Sequence, residues 1–342
     1  MGSVFIVDDS SLIRKILSET INRDPLLEVV GCARDGNEAL NKIRELDPDI
    51  ITVDINMPHM DGISLINEIM NENPKPVLVV SDFTHENSET TFKALESGAI
   101  DVLLKPKYIN DNKEFLFFKE DLLLKLKASL KAHPRKHFLS EKKVSYQFEK
   151  VTKKILIIGA STGGPSTLQK LFSELPGNLP FSILVVQHMP QGFTKAFAQM
   201  LDKKSEIHIR EAQDGDVLRD NTAYICPADF NMSIIEKSKD IPSIKLTQDE
   251  KLHNLRPTVD YLVFSAVPVF GDRIILVVLT GMGNDGTKGA ELVKKNKGRV
   301  IVESEDSCII YGMPKSIVDK NLADKIVSLD KLPVAIFNEF EN

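Results

Sequence analysis

The sequence predicts two α/β domains, each a parallel sheet doubly wound with helices. Three observations carry this reading. A chain of 342 residues exceeds the length that one hydrophobic core usually serves. Short aliphatic runs alternate with amphipathic stretches in both halves, which is the pattern of βα units. Between the halves lies a Lys-rich polar stretch with isolated Phe138, Val144, Tyr146 and Phe148 and no sustained period. The domains are therefore placed at residues 1–132 and 154–342, with a linker over 133–153.

In the first domain, strands are expected at Val4–Val7, Glu28–Ala33, Ile50–Val53, Val77–Val80 and Val102–Leu104. Amphipathic segments begin near Ser11, Asn37, Gly62, Asn87 and Glu114. Such a doubly wound sheet carries its function at the carboxyl ends of the strands. Asp8 and Asp9 follow the first strand and Asp54 the third, while Ser81 ends the fourth and Lys105 the fifth. One carboxylate at a strand end commonly caps the next helix. Three at one sheet edge repel one another unless a hard cation sits among them, and oxygen ligands of this kind suit Mg²⁺. Lys105 adds a further positive charge opposite them.

Val7-Asp8-Asp9-Ser10, Asp54-Ile-Asn-Met-Pro58-His-Met-Asp61-Gly62, Ser81 and Lys105-Pro106 resemble the response-regulator receiver domain, and the likeness spans the whole first domain. The resemblance implies a flavodoxin-like fold with Asp54 as phosphoacceptor and a histidine kinase as phosphodonor. It implies Asp8, Asp9, Asp54 and the main-chain carbonyl of Asn56 as the Mg²⁺ site. Ser81 would receive a phosphoryl oxygen and Lys105 would pair with the phosphoryl group. Phosphoryl transfer rests on positioning and charge neutralisation, which a metal and a lysine supply. The family often signals through an aromatic residue three places before the lysine, and Val102 stands there instead.

The second domain is expected to form strands at Ile155–Ile158, Ile183–Val186, Ile207–Ile209, Ile274–Leu279 and Val300–Val302. The polar segments Asp214–Tyr224 and Met232–Leu246 read as inserted antiparallel hairpins. Ile155-Leu-Ile-Ile158 runs directly into Gly159-Ala-Ser-Thr-Gly-Gly-Pro165, and a helical pattern follows. Ser161 therefore sits on a strand-to-helix turn. Alone, such a Gly-x-Ser-x-Gly turn can seat a nucleophile, bind a phosphate or merely cap a helix. His188 follows the second strand and Asp285 lies in a glycine-rich turn after Ile274–Leu279. His188 alone reads as a polar cap and Asp285 alone as a helix start. His208, inside a strand pattern, and His253, in a polar loop, are weaker candidates. A serine hydroxyl needs a base to take its proton, and the base needs a carboxylate to fix its tautomer. The chain order Ser–His–Asp differs from the Ser–Asp–His order of α/β-hydrolases, so that fold is not implied.

Gly159-Ala-Ser-Thr-Gly-Gly-Pro165, Val185-Val-Gln-His-Met-Pro190, Arg256-Pro-Thr-Val-Asp260, Leu279-Thr-Gly-Met-Gly-Asn-Asp-Gly286 and Tyr311-Gly-Met-Pro314 resemble the chemotaxis receptor methylesterases. A receiver ahead of such a domain is that family's arrangement. The resemblance implies Ser161 as nucleophile, His188 as base and then acid, and Asp285 as orienting carboxylate. It implies an oxyanion site at the main-chain N–H of Met282 and the Thr162 turn. No cofactor is implied for the ester chemistry. The substrate would be a γ-glutamyl methyl ester on a cytoplasmic chemoreceptor helix, giving glutamate and methanol, and glutamine amides share the tetrahedral route. In the expected mechanism the unphosphorylated receiver obstructs the Ser161 strand ends. Three positions depart from the family: Leu255 and Asn231 where His is common, and Glu303 where Gln is frequent.

Composition narrows the alternatives. With 42% hydrophobic and 27% charged residues, the chain reads as an ordinary soluble protein. A net charge of −6 and the lack of a basic helix-turn-helix region argue against nucleic acid as partner. No apolar run reaches bilayer length and no leader precedes the first strand, so a cytoplasmic location without membrane insertion is expected. Cys32, Cys226 and Cys308 have no ligand spacing and are expected to be small buried hydrophobes. The alternative to an enzyme is a phosphorylation-dependent adaptor with an inactive second domain.

Overall fold

Short apolar runs form most of the strands, and the intervening amphipathic stretches form the helices that cover them. The computed structural model describes residues 1–82, 87–106, 113–132, 153–238, 241–252 and 255–341. The expected linker, apart from Lys153, lies outside the described residues, and so does His253. The chain divides into two compact units, Met1–Phe138 and Leu139–Asn342. No helix among the described residues is long and apolar enough to cross a membrane.

The first unit alternates β1 (Gly2–Val7), α1 (Ser11–Ile21), β2 (Leu27–Ala33), α2 (Gly36–Leu46), β3 (Ile50–Val53), α3 (Gly62–Glu72), β4 (Val77–Ser81), α4 (Asn87–Glu96), β5 (Asp101–Leu104) and α5 (Lys113–Ser129). Its strands pair in parallel in the order β2-β1-β3-β4-β5, which is the doubly wound flavodoxin-like order. The order reverses between β1 and β3, and the aspartates follow those two strands. Side-chain caps start the helices: Ser10 accepts from Ile13 N–H, Asp35 from Glu38 N–H and Asp61 from Ser64 N–H. Gly62 must be glycine, because a Cβ there would lie 2.2 Å from the Asp54 carbonyl.

The second unit runs β6 (Ile155–Ala160), α6 (Gly164–Glu174), β7 (Ser182–Gln187), α7 (Phe193–Lys204), β8 (His208–Glu211), β9 (Thr222–Ile225), β10 (Asn231–Ser238), β11 (Ile241–Thr247), α8 (Val259–Phe270), β12 (Ile274–Val278), α9 (Thr287–Lys295), β13 (Arg299–Glu303), α10 (Met313–Val318), β14 (Lys325–Val327) and α11 (Leu332–Glu341). Seven strands pair in parallel in the order β14-β13-β12-β6-β7-β9-β8. The chain leaves β6 toward β7 on one side and later returns to β12 on the other. That reversal places the crevice at the carboxyl end of β6. Ile155, Ile157, Leu184, Val186, Leu276 and Val278 of the three central strands are buried in one core with α8 and α9.

Of the two expected hairpins, β10 and β11 form one, paired antiparallel from Asn231–Thr247 to Ser238–Ile241. The Asp214–Tyr224 segment is not a hairpin. Its end is β9, which enters the main sheet in parallel between β7 and β8. The C-terminal aromatic residues pack inside this unit: Phe340 stacks on Phe181, and Ile336 and Phe337 are fully buried. Cys226 and Cys308 are buried as expected, whereas Cys32 is exposed near the end of the edge strand β2.

Candidate active site

Three neighbouring strands, β12, β6 and β7, bring Asp285, Ser161 and His188 to one sheet edge. Ser161 directly follows β6. Its N–H donates to the Thr280 carbonyl at 3.1 Å, and its carbonyl accepts from Gly164 N–H at 2.8 Å. Gly163, at φ +79°, lets the chain turn sharply into α6, and Pro165 stiffens the first helical turn. The amino end of α6 thus faces the serine turn with its partial positive charge.

His188 follows β7, and its N–H donates to the Ala160 carbonyl at 3.0 Å. Its Nε2 lies 2.9 Å from Asp285 Oδ2. Asp285 is 2% exposed and accepts from three main-chain N–H groups: Val259 at 2.7 Å, Asp260 at 3.1 Å and Gly286 at 2.9 Å. Burial pushes its pKa up. The His188 hydrogen bond and charge, together with the Val259 and Asp260 N–H groups, outweigh burial and hold it below the usual carboxylate value. The pair therefore suits a histidine that accepts and returns a proton beside an ionised carboxylate.

Met282 and Thr162 lie at the same edge. Thr162 is buried, and its carbonyl accepts from Thr280 Oγ1 at 3.0 Å. Met282 follows Gly281, which abuts the serine so closely that a Cβ there would be 2.7 Å from Ser161 Cβ. His208 lies on the edge strand β8, where its Nδ1 pairs with Asp202 of α7 at 3.2 Å.

In the first unit, ligand oxygens of Asp8, Asp9 and Asp54 lie within 4.8 Å of one another. Lys105 Nζ stands 2.8 Å from both Asp8 Oδ2 and Asp54 Oδ2. Burial raises the Asp54 pKa to about 6 against the opposing pull of Lys105, and it raises that of Asp8 as well. Lys105 is held above the usual lysine value: burial acts to lower it, but the two carboxylates prevail. Asp54 Oδ1 is buried with no hydrogen-bond partner among the described residues. Carboxylates so crowded, one with an oxygen left over, fit a hard divalent cation. Ser81 is fully buried at the end of β4, Asn56 is exposed after β3, and Val102 is buried in β5.

Residues 4–114 match the response regulator receiver domain, and residues 156–336 match the CheB methylesterase. A Pyrococcus abyssi protein named protein-glutamate methylesterase/protein-glutamine glutaminase is 40% identical over 348 residues, covering 99% of this chain and 93% of that protein. A Thermotoga maritima protein of the same name is 40% identical over 332 residues, covering 96% of each chain. The chain belongs to the CheB methylesterase family. The solved catalytic domain of Thermotoga maritima CheB is 41% identical, with a TM-score of 0.53, covering 55% of this chain and 99% of that domain.

The departures from the CheB pattern now have places. Glu303 ends β13 fully buried, where its Oε2 accepts from Thr280 N–H and its Oε1 from Ser307 Oγ, each at 2.8 Å. Asn231 is fully buried at the start of β10, and Leu255 is exposed beside Arg256. Arg256 ties three loop segments, donating to Asp229 Oδ1 and to the carbonyls of Gln248 and Asp249. The Arg256–Asp260 motif has no role legible in the sequence. Its use is local: Thr258 caps α8, and the first N–H groups of that helix hold Asp285. Gln187 and Thr280, which brace the serine turn from β7 and from the end of β12, were missed. A polar residue closing each apolar run was the available signal.

Proposed function

We propose that this chain is a phosphorylation-activated protein-glutamate methylesterase of chemotaxis adaptation, acting in the cytoplasm on methylated glutamates of chemoreceptors. The observation that carries this is the His188–Asp285 pair, 2.9 Å apart, at the strand end beside the Ser161 turn. Ser161 Oγ attacks the γ-carbonyl carbon while His188 takes its proton. The tetrahedral oxyanion accepts hydrogen bonds from the Met282 N–H and the Thr162 turn. His188 returns the proton to the departing methoxide, which leaves as methanol. A water then attacks the acyl-serine by the same base, releasing glutamate. Ammonia leaves in place of methanol when the substrate is a glutamine amide.

The receiver, residues 1–132, regulates the esterase, residues 154–342, through the linker at 133–153. Asp54 is the phosphoacceptor for a histidine kinase. Ser81 and Lys105 hold the phosphoryl oxygens. Asp8, Asp9, Asp54 and the Asn56 carbonyl would hold Mg²⁺, which when bound neutralises charge on the transferring group.

Methanol release from methylated receptor membranes tests the reading, comparing the intact protein with Ser161→Ala, each with and without a phosphodonor and Mg²⁺. The expected result is release from the intact protein alone, increased by phosphodonor. Equal release from both proteins would instead favour a phosphorylation-dependent adaptor with an inactive second domain.

A further inference from the structure

Gln187 closes β7 at the centre of the site and is 1% exposed. Its Nε2 donates to the Ser161 carbonyl at 2.9 Å and to the His188 carbonyl at 2.8 Å. An amide nitrogen carries two hydrogens, so both bonds form together. Turning the amide over would set its oxygen against two carbonyls, so the network itself fixes the orientation. Gln187 Oε1 is buried with no partner among the described residues. It lies against Gly164, where a Cβ would come within 2.0 Å of it. A buried carboxamide oxygen without a donor is unfavourable, and here it accompanies a nitrogen whose two bonds are both made.

The two carbonyls that Gln187 joins belong to the nucleophile and the base of the proposed mechanism, which sit on different strands. The Ser161 carbonyl also accepts from Gly164 N–H at 2.8 Å, and His188 N–H donates to the Ala160 carbonyl at 3.0 Å. The main chain around both residues is thereby closed into one hydrogen-bonded unit with Gln187 as its cross-tie. We infer that Gln187 is a positioning residue, setting the spacing of Ser161 and His188 through their main chains. This rests on the reading of those two residues as nucleophile and base.

The test uses the full chain, methylated receptor membranes and a fluorophosphonate probe that labels the active serine. Gln187→Met keeps the side-chain length without a donor, and Gln187→Glu places a carboxylate against two carbonyls. Displacing a reacting group by about 1 Å costs on the order of 100-fold in rate. Gln187→Met is expected to lower kcat by about 10- to 100-fold, with KM changed by less than about twofold and serine labelling slowed in parallel. Gly164→Ala, which expels the carboxamide, should cost less in a Gln187→Ala background than alone, the remainder coming from a Cβ only 2.9 Å from Ala160 Cβ. If Gln187→Glu fails to fold, Gln187→Met and the Gly164 cycle carry the test. Unchanged kcat and labelling in a folded Gln187→Met protein, a change in KM alone, or additive Gly164 and Gln187 effects would overturn the inference. Ser161→Ala is the reference: methanol release persisting there defeats the mechanism itself, whereas its loss leaves the Gln187 result to stand separately.

Discussion

His188 Nε2 lies 2.9 Å from Asp285 Oδ2, and the same oxygen accepts the Val259 N–H at the start of α8. The His188 ring is paired with a carboxylate that is itself held by a helix terminus. On the proposed mechanism, with Nε2 turned to Asp285, Nδ1 is the ring nitrogen left to take the Ser161 proton. The main-chain N–H groups of Val259 and Asp260 do the holding, so the amino end of α8 belongs to the site although its sequence is largely apolar.

Replacing Asp285 by Asn keeps the shape but presents an amide where a carboxylate selected the tautomer. By analogy with serine hydrolases, kcat should fall by about 10⁴-fold with a small change in KM. Methanol release under saturating substrate measures this. A loss below about tenfold would mean that His188 is oriented by another group.

The depressed Asp285 pKa also sets a direction for stability against pH. Burial opposes the depression, and the His188 and main-chain hydrogen bonds overcome it. An unfolded aspartate titrates near about 3.9, so between that value and the lower folded value the unfolded state binds more protons. The contribution is complete above about pH 4 and is lost as pH falls through the folded pKa. Thermal melting of the esterase transition, compared between the native sequence and Asp285→Asn, should show a gap that narrows on acidification from about pH 5 to about pH 2.5. A gap that widens on acidification would contradict the depressed value.

Ser161, His188 and Asp285, the trio of the proposed mechanism, stand out in the sequence because each comes after an apolar run that reads as a buried strand. Their supports do not. Gln187 and Thr280 act through main-chain carbonyls of residues far away in sequence, and such bonds leave no periodic signature. The sequence makes β9 look like part of a hairpin because the Asp214-Gly215 break separates short β-type runs there. Its neighbours are parallel, and only the sheet order shows that. Strand β14 has three residues, none of them fully buried, and offered no aliphatic run to notice. Cys32 looked internal among aliphatic neighbours, but it lies near the end of an edge strand, where alternation turns it outward.

Lys105 stands 2.8 Å from two buried carboxylates, Asp8 and Asp54. Replacing it by Met leaves both acids without their shared cation, and the Asp54 pKa, already about 6, should rise further. Breaking one partner from a buried ionic group typically costs about 3–5 kcal/mol. Denaturant unfolding of the receiver transition in chelator should show a loss of that order near neutral pH. Added Mg²⁺ should restore part of it, since the same carboxylates fit the metal. An unchanged midpoint in chelator would show that Lys105 leaves the acidic cluster unaffected.

Gly281 packs directly against the serine, beside the Thr280 carbonyl that accepts its N–H. A Cβ there would lie 2.5 Å from Met313 Sδ, 2.7 Å from Ser161 Cβ and 3.0 Å from Ser161 N. Met313 has a flexible thioether that can yield. Ser161 has less freedom, because its N–H is bonded to Thr280 and its carbonyl to Gly164 and Gln187. Overpacking of this kind costs about 1–3 kcal/mol, and the strain falls on Ser161. Gly281→Ala should therefore lower kcat by about 10- to 100-fold while Asp54 still accepts phosphate from a small phosphodonor. Fluorophosphonate labelling of Ser161 should slow by the same factor. Labelling at the native rate would mean that Met313 absorbs the added methyl and the serine stays in place.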